Sequence, residues 1–107
     1  MIGYDRFRTA KMFFQSRRYR DAIVELKAVL EVEERSSLRT EALELLALAN
    51  FKAAYLPEAE RLSREMIADN PTHAYAHTLL VRSLERQSRK DEADAARRLA
   101  LAFGADV

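Results

Sequence analysis

Three stretches decide the fold of this chain: RYRDAIVELKAVLE at residues 18–31, YLPEAERLSREMIA at 55–68 and RKDEADAARRLALA at 89–102. Each has an acidic residue followed by alanine in its first turn, at Asp21-Ala22, Glu58-Ala59 and Glu92-Ala93. These marker alanines are 37 and then 34 residues apart, which indicates that one structural unit recurs along the chain.

A second amphipathic helix is predicted in front of each stretch. Apolar residues recur there at helical spacing, in the first unit at Phe7, Ala10, Phe13 and Phe14. Twelve positions before each marker alanine stands an apolar residue, at Ala10, Ala47 and Val81. Small side chains let helix backbones approach closely, so we expect close contacts at Ala47, Ala59 and Ala93.

Local signals predict where the helices begin and end. Pro57 begins a helix because its ring fixes φ at a helical value, and the pair Asn70-Pro71 ends it. Ser88 with Asp91 predicts a capping box, and Gly104 predicts a left-handed residue after the last helix. We expect six helices in three hairpins, with loops near residues 17–20, 34–38, 54–56, 70–72 and 88–90.

The composition favours an all-α chain with one domain. The 107 residues include two Gly, two Pro and no Cys, and 49% are hydrophobic. Scarce Gly and Pro argue against a turn-rich β fold, and the absence of Cys removes disulfide and thiolate chemistry. No apolar run reaches the roughly 18 to 20 residues that cross a bilayer, and early charged residues argue against a signal peptide. We therefore expect a cytoplasmic protein without membrane insertion.

The charges are balanced in sum but uneven along the chain. Lys plus Arg is 18 and Asp plus Glu is 17, for a net charge of +1. Residues 1–20 hold six basic residues and one acidic residue, whereas residues 21–70 hold six and eleven. A nucleic-acid-associated regulator using the basic first helix is therefore an alternative function, which the near-neutral total disfavours. We interpret the cluster Arg17, Arg18 and Arg20 as a solvated helix end.

The repeated helix-turn-helix unit resembles the tetratricopeptide repeat (TPR) family, whose period is 34 residues. The resemblance covers residues 3–105, in repeats of about 3–39, 40–73 and 74–107, and no repeat keeps the glycine of the turn. It implies a single TPR domain over residues 1–107, with three hairpins stacked as a short right-handed α-solenoid. The abundant Arg and Ala look like those of a short bacterial repeat protein.

Few residues suit catalysis or metal binding. His73 and His77 stand four apart, a spacing that can chelate a metal, but the run HAYAH lacks the glutamate of HExxH and an obvious third ligand. We expect His77 to be packed and His73 to be exposed. A solvated helix end beside Arg35 is our interpretation of the acidic residues Glu31, Glu33 and Glu34. No site constellation is complete, so we expect neither enzymatic activity nor a cofactor or metal.

The remaining candidate site is a surface. By resemblance to the TPR family, the first helix of each hairpin lines a concave groove that binds a peptide or helix of a partner protein. We expect the groove to contain Tyr4, Phe7, Lys11, Phe14, Leu45, Leu48, Phe51, Lys52, Tyr75, Leu79, Arg82 and Arg86. Periodicity places Phe7, Leu45, Leu48 and Leu79 in the groove and leaves Phe14 and Phe51 open between groove and core.

The charges of this face define the expected partner. Its basic residues suit an apolar segment with some acidic character. Chaperone-binding members of the family clamp a peptide carboxylate with Lys, Asn and Arg, whereas the corresponding positions here keep one basic residue, Lys11. That ligand is therefore not expected, and a non-catalytic adaptor or scaffold is the predicted function.

Self-association is the third alternative. The last helix is expected to expose Ala95 together with Ala96, Leu99 and Phe103 along one stripe. Because an uncovered repeat end tends to find a partner, this stripe predicts a weak homodimer.

Overall fold

The part of the chain that the structure describes consists of helices joined by short connections. The structure, a computed structural model, describes residues 2–107 apart from the side chain of Ile2. Its helices are α1 (Ile2–Gln15), α2 (Tyr19–Val32), α3 (Ser36–Lys52), α4 (Leu56–Asp69), α5 (Ala74–Arg86) and α6 (Lys90–Ala102). The predicted all-α fold with six helices is confirmed. In residues 2–107, no helix combines the length and apolar character needed to cross a bilayer.

The helices form two compact units, unit 1 ending at Ala54 and unit 2 beginning at Tyr55. In unit 1, α2 packs against α1 and α3, and α1 also contacts α3. In unit 2, α5 packs against α4 and α6. The predicted hairpins α1–α2 and α5–α6 therefore each lie within one unit. Because α3 and α4 belong to different units, the stacking of three hairpins as a solenoid stays a prediction.

The core of unit 1 joins large and small side chains. Buried apolar residues come from all three helices, at Phe7, Ala10, Ala22, Ile23, Leu26, Val29, Leu38, Ala42, Leu46, Ala47 and Ala49. Ala10 and Ala22 have no exposed surface, in keeping with the close approach of α1 and α2 that their small size permits.

The core of unit 2 has two adjoining clusters. Leu80, Leu84 and Ala93 form the first, and Ile67 of α4 packs against it. Val81, Ala100 and Ala105 form the second, which draws the residues after α6 back onto α5. The predicted contact alanines Ala47, Ala59 and Ala93 are all buried.

Left-handed residues follow three of the helices at equivalent repeat positions. Arg17, Ala54 and Ser88 have φ of 60°, 66° and 59°, and each lies five residues before a marker alanine. This conformation costs a residue with a Cβ about 1–2 kcal/mol, which glycine would avoid. The three turns therefore have the left-handed backbone conformation that glycine prefers, although none of them contains a glycine at that position.

The predicted helix ends were mostly correct. Pro57 lies in the first turn of α4, Asn70 is the C-cap in an extended conformation, and Gly104 has φ 83°. The capping box at Ser88 is wrong, because Ser88 belongs to the left-handed turn and α6 begins two residues later without a side-chain cap. The loop predicted at 34–38 is shorter than expected, since α3 already begins at Ser36.

Candidate functional site

The first helix contributes an exposed tyrosine and two cations that lie over aromatic rings. Tyr4 is exposed, and the guanidinium carbon of Arg8 lies 5.8 Å from its ring centroid. Lys11 is exposed, with Nζ 5.4 Å from the ring centroid of Phe7. Phe7 itself is buried, so its expected exposure in the groove is wrong.

The third helix adds a row of half-buried apolar side chains to unit 1. Leu45, Leu48 and Phe51 are half-buried, and Lys52 is exposed. Because α1 contacts α3, the structure brings these two predicted helices together. Phe14 is half-buried and meets Tyr19 of α2 edge-on at 5.2 Å between centroids, so it contributes to the α1–α2 hairpin.

The fifth helix carries the predicted residues of unit 2. Tyr75, Arg82 and Arg86 are exposed, whereas Leu79 is buried. The expected exposure of Leu79 is therefore wrong, as it is for Phe7. Both corrections have the same cause: α1 and α5 each pack against two other helices, so their buried arc is wider than a one-sided pattern implies.

The two histidines have structural partners. His73 is the N-cap of α5, and its Nδ1 accepts a hydrogen bond from the N–H of Ala76 at 3.3 Å. His77 is buried, donates from Nε2 to the carbonyl of Pro71 at 2.7 Å, and stacks on Phe103 at 5.2 Å between centroids. Packing of His77 is thus confirmed, while His73 is half-buried rather than exposed. Residues 2–107 contain no cluster of three His, Cys, Asp or Glu arranged to hold a metal ion.

A buried carboxylate at the α2–α3 connection was missed from the sequence. Glu33 is buried, and its oxygens accept hydrogen bonds from Nε and Nη2 of Arg35 at 2.8 and 2.9 Å and from the Arg35 backbone N–H at 2.9 Å. The Arg35 side chain and its backbone N–H outweigh desolvation and lower the pKa of Glu33 to about 2. The solvated helix end expected here is therefore wrong for Glu33.

Arg39 also binds at this connection. We call the three residues Glu33, Arg35 and Arg39 the α2–α3 clasp. One nitrogen of Arg39, Nη1, donates to the carbonyls of Leu30 at 2.6 Å and Glu33 at 2.8 Å. The clasp also lies against α1, because a Cβ added to Gly3 would be 2.6 Å from Oε2 of Glu33. These contacts fix the end of α2 with polar groups.

A second carboxylate cluster ties α4 to the α5–α6 turn. Glu60 accepts hydrogen bonds from Arg89, from Nε2 of Gln87 at 3.1 Å and from Nε of Arg64 at 3.1 Å. Burial raises the pKa of Glu60, but these three donors outweigh burial, so the pKa lies below its ordinary value. The same Arg89 also binds Glu92.

The α1–α2 turn forms a basic depression on unit 1. The depression has a volume of about 340 Å³ and is lined by Arg17, Arg18, Tyr19, Arg20, Asp21 and Ala53. Arg18 is held in place, since its guanidinium lies 4.7 Å from the ring centroid of Phe13 and its Nε donates to Asp21 at 2.8 Å. Arg17, Arg18 and Arg20 are all exposed, as expected for a solvated helix end, and Arg18 adds these two contacts.

The stripe expected on α6 is only partly exposed. Of the predicted stripe, Ala95, Leu99 and Phe103 are exposed, whereas Ala96 packs against both core clusters of unit 2. Leu101, which was not predicted, is exposed as well. Phe103 stacks one ring face on His77. Ala96 is thus a correction to the predicted stripe. No protein-family model matches the chain, and no curated protein matches it.

Proposed function

We propose that the chain is a non-catalytic protein-interaction module of the TPR type, an adaptor that binds a peptide or helix of a partner protein. The proposal includes a cytoplasmic location, as the sequence analysis expects. It rests on the described surfaces of the first, third and fifth helices.

One observation carries the proposal. An exposed tyrosine followed seven residues later by an exposed cation occupies the same repeat positions on two helices, as Tyr4 and Lys11 on α1 and as Tyr75 and Arg82 on α5. Tyrosine offers a large contact area at little entropic cost, which is why it is common in binding surfaces. Its recurrence with a cation supports a binding role for these helix faces.

The third helix supplies apolar area beside α1. Leu45, Leu48 and Phe51 keep part of their surface accessible, and Lys52 adds a further cation. Apolar surface beside cations suits a partner segment that combines apolar anchors with carboxylates, because the charges orient it and the apolar contacts hold it.

A peptide-display selection on the full chain tests this proposal. We expect enrichment of peptides that mix apolar and acidic residues. The double variant Tyr4→Ala/Tyr75→Ala should bind them at least about tenfold more weakly, since lost aromatic anchors cost on the order of 1–2 kcal/mol each.

Tyr55→Ala is the matched control, because Tyr55 is another exposed tyrosine outside the proposed faces. It should bind the selected peptides as the wild type does. Failure to enrich any peptide, or equal binding by the double variant, would contradict the proposal.

A further inference from the structure

Unit 2 shows how one helix is recognised by a helical hairpin. Helix α4 lies on α5, and Ile67 packs against Leu80, Leu84 and Ala93 of the α5–α6 hairpin. At the turn of this hairpin, Arg89 binds the carboxylate of Glu60 on α4. The contact therefore combines an apolar anchor with an arginine–carboxylate pair.

The α1–α2 hairpin has residues equivalent to those of the α5–α6 hairpin that bind α4. Arg18 has the repeat position of Arg89, and the pairing of Arg18 with Asp21 repeats the pairing of Arg89 with Glu92. The Arg18 side chain is 60% exposed, against 34% for Arg89. Among the described residues, Asp21 is the one carboxylate bound to Arg18, and no counterpart of Glu60 reaches it.

Two apolar residues on the same hairpin are also more open than their equivalents in unit 2. Met12 is 67% exposed, whereas Ser83 at the same repeat position has no exposed surface. Phe13 is half-buried, whereas its equivalent Leu84 is completely buried. The receiving surface thus has accessible apolar area beside Arg18.

Helix α6 has residues equivalent to those by which α4 contacts the α5–α6 hairpin. Asp94 has the repeat position of Glu60, and its side chain is 44% exposed against 13% for Glu60. Leu101 has the position of Ile67, but it is 57% exposed, whereas Ile67 packs into the core. Both residues that α4 uses to dock therefore have more accessible counterparts on α6, where Asp94 is half-buried and accepts a hydrogen bond from Nη1 of Arg97 at 3.1 Å.

We propose that α6 of one copy of this chain docks on the α1–α2 hairpin of a second copy, as α4 docks on the α5–α6 hairpin. Asp94 of the first copy pairs with Arg18 of the second, at the 340 Å³ depression, and Leu101 packs against Met12 and Phe13. The acidic side chain on one surface and the arginine on the other make the two surfaces complementary. This inference does not depend on the proposed partner-binding faces.

The arrangement is head-to-tail, so each copy has one surface of each kind and chains of copies can grow. Thr9 stands where unit 2 has Leu80, which makes the intermolecular contact less apolar than the internal one. We therefore expect a weak assembly, visible at about 100 micromolar and dissociated at about 1 micromolar.

Charge reversal with light scattering tests the proposal on the full chain. Wild type at high concentration should have a weight-average mass above the 12.3 kDa of one chain. Arg18→Glu and Asp94→Arg should each self-associate at least about tenfold more weakly, because like charges then face each other. Mixing the two variants should restore association, because Asp94 of the Arg18→Glu variant then faces Arg18 of the Asp94→Arg variant. The two introduced side chains are also opposite in charge, so both junctions are compatible and the mixture should assemble beyond two chains.

Lys27→Glu is the matched control. Its repeat equivalent in unit 2, Arg98, stays exposed, so Lys27 lies outside the docking surface. Circular dichroism of every variant checks that the helices are intact. Wild type that remains monomeric at about 100 micromolar would overturn the proposal, as would folded variants that assemble like wild type or a mixture that fails to pair.

Discussion

The turn between α3 and α4 should be stabilised by a substitution that normally destabilises helical proteins. Ala54 has φ 66° and is exposed, so Ala54→Gly removes the strain of a left-handed alanine without removing packing. Relief of the strain should stabilise the folded protein by about 1–2 kcal/mol. The greater conformational freedom of glycine in the unfolded chain opposes this and costs about 0.5–1 kcal/mol. We expect a net gain of about 0.5–1 kcal/mol in the free energy of unfolding.

Urea denaturation followed by circular dichroism measures this gain, because a higher midpoint with an unchanged slope reports greater stability. Ala95→Gly on the exposed side of α6 is the matched control and should lose about 1 kcal/mol, the usual cost of glycine within a helix. If both substitutions lower the midpoint alike, the left-handed conformation at Ala54 is not strained and the reasoning about all three turns fails.

Four further substitutions test the interior. Among the residues that the structure describes, the buried hydroxyl of Ser83 has no hydrogen-bond partner, so Ser83→Ala should leave stability unchanged or raise it by up to about 1 kcal/mol. Ser63→Ala removes the bond to the Ala59 carbonyl and should cost about 1 kcal/mol in urea denaturation. Ala59→Leu should overpack a buried position and cost about 1–3 kcal/mol. The lowered pKa of Glu33 stabilises the fold fully above the ordinary value of 4.5, and this stabilisation is lost as pH falls toward 2. Melting temperatures of Glu33→Gln should therefore depend less on pH in that range.

Each of these predictions has an outcome that contradicts it. Equal losses for the two serine variants would mean that the Ser83 hydroxyl is bonded in solution. An unchanged midpoint for Ala59→Leu would show that the surroundings of this alanine have room. Identical acid profiles for Glu33→Gln and wild type would show that the Glu33 carboxylate is not stabilised by Arg35.

The helices could be predicted because their signals are local. Pro57, Asn70 and Gly104 act through their own backbone preferences, and all three stand at the helix ends that the sequence indicated. The six helices follow from apolar periodicity, which needs no knowledge of the partner helix. The prediction at Ser88 was wrong because the spacing of Ser88 and Asp91 does not show that the preceding turn extends to Ser88, which adopts the left-handed conformation there.

The candidate surface was harder to predict, because exposure depends on how many neighbours a helix has. Phe7 and Leu79 lie on helices with two packing partners, a fact that one helix's pattern does not contain. The link between Glu60 and Arg89 joins residues 29 positions apart and was also missed. Its sequence signals are the arginine that recurs at positions 18 and 89 and the acidic residue that recurs at positions 60 and 94.

The α2–α3 clasp should limit the access of trypsin to Arg35 and Arg39. Arg35 and Arg39 lie on the surface in and just after a connection between helices, where a protease usually finds its first site. Both guanidinium groups are engaged, one by a carboxylate and one by the carbonyls at the end of α2. A protease that must hold the arginine side chain can act there only after the clasp opens. Resistance to cleavage at this connection therefore reports the opening of a few hydrogen bonds. Glu33→Gln removes the charge that holds the Arg35 guanidinium and should make the Arg35 site accessible to trypsin at neutral pH while the helices are intact.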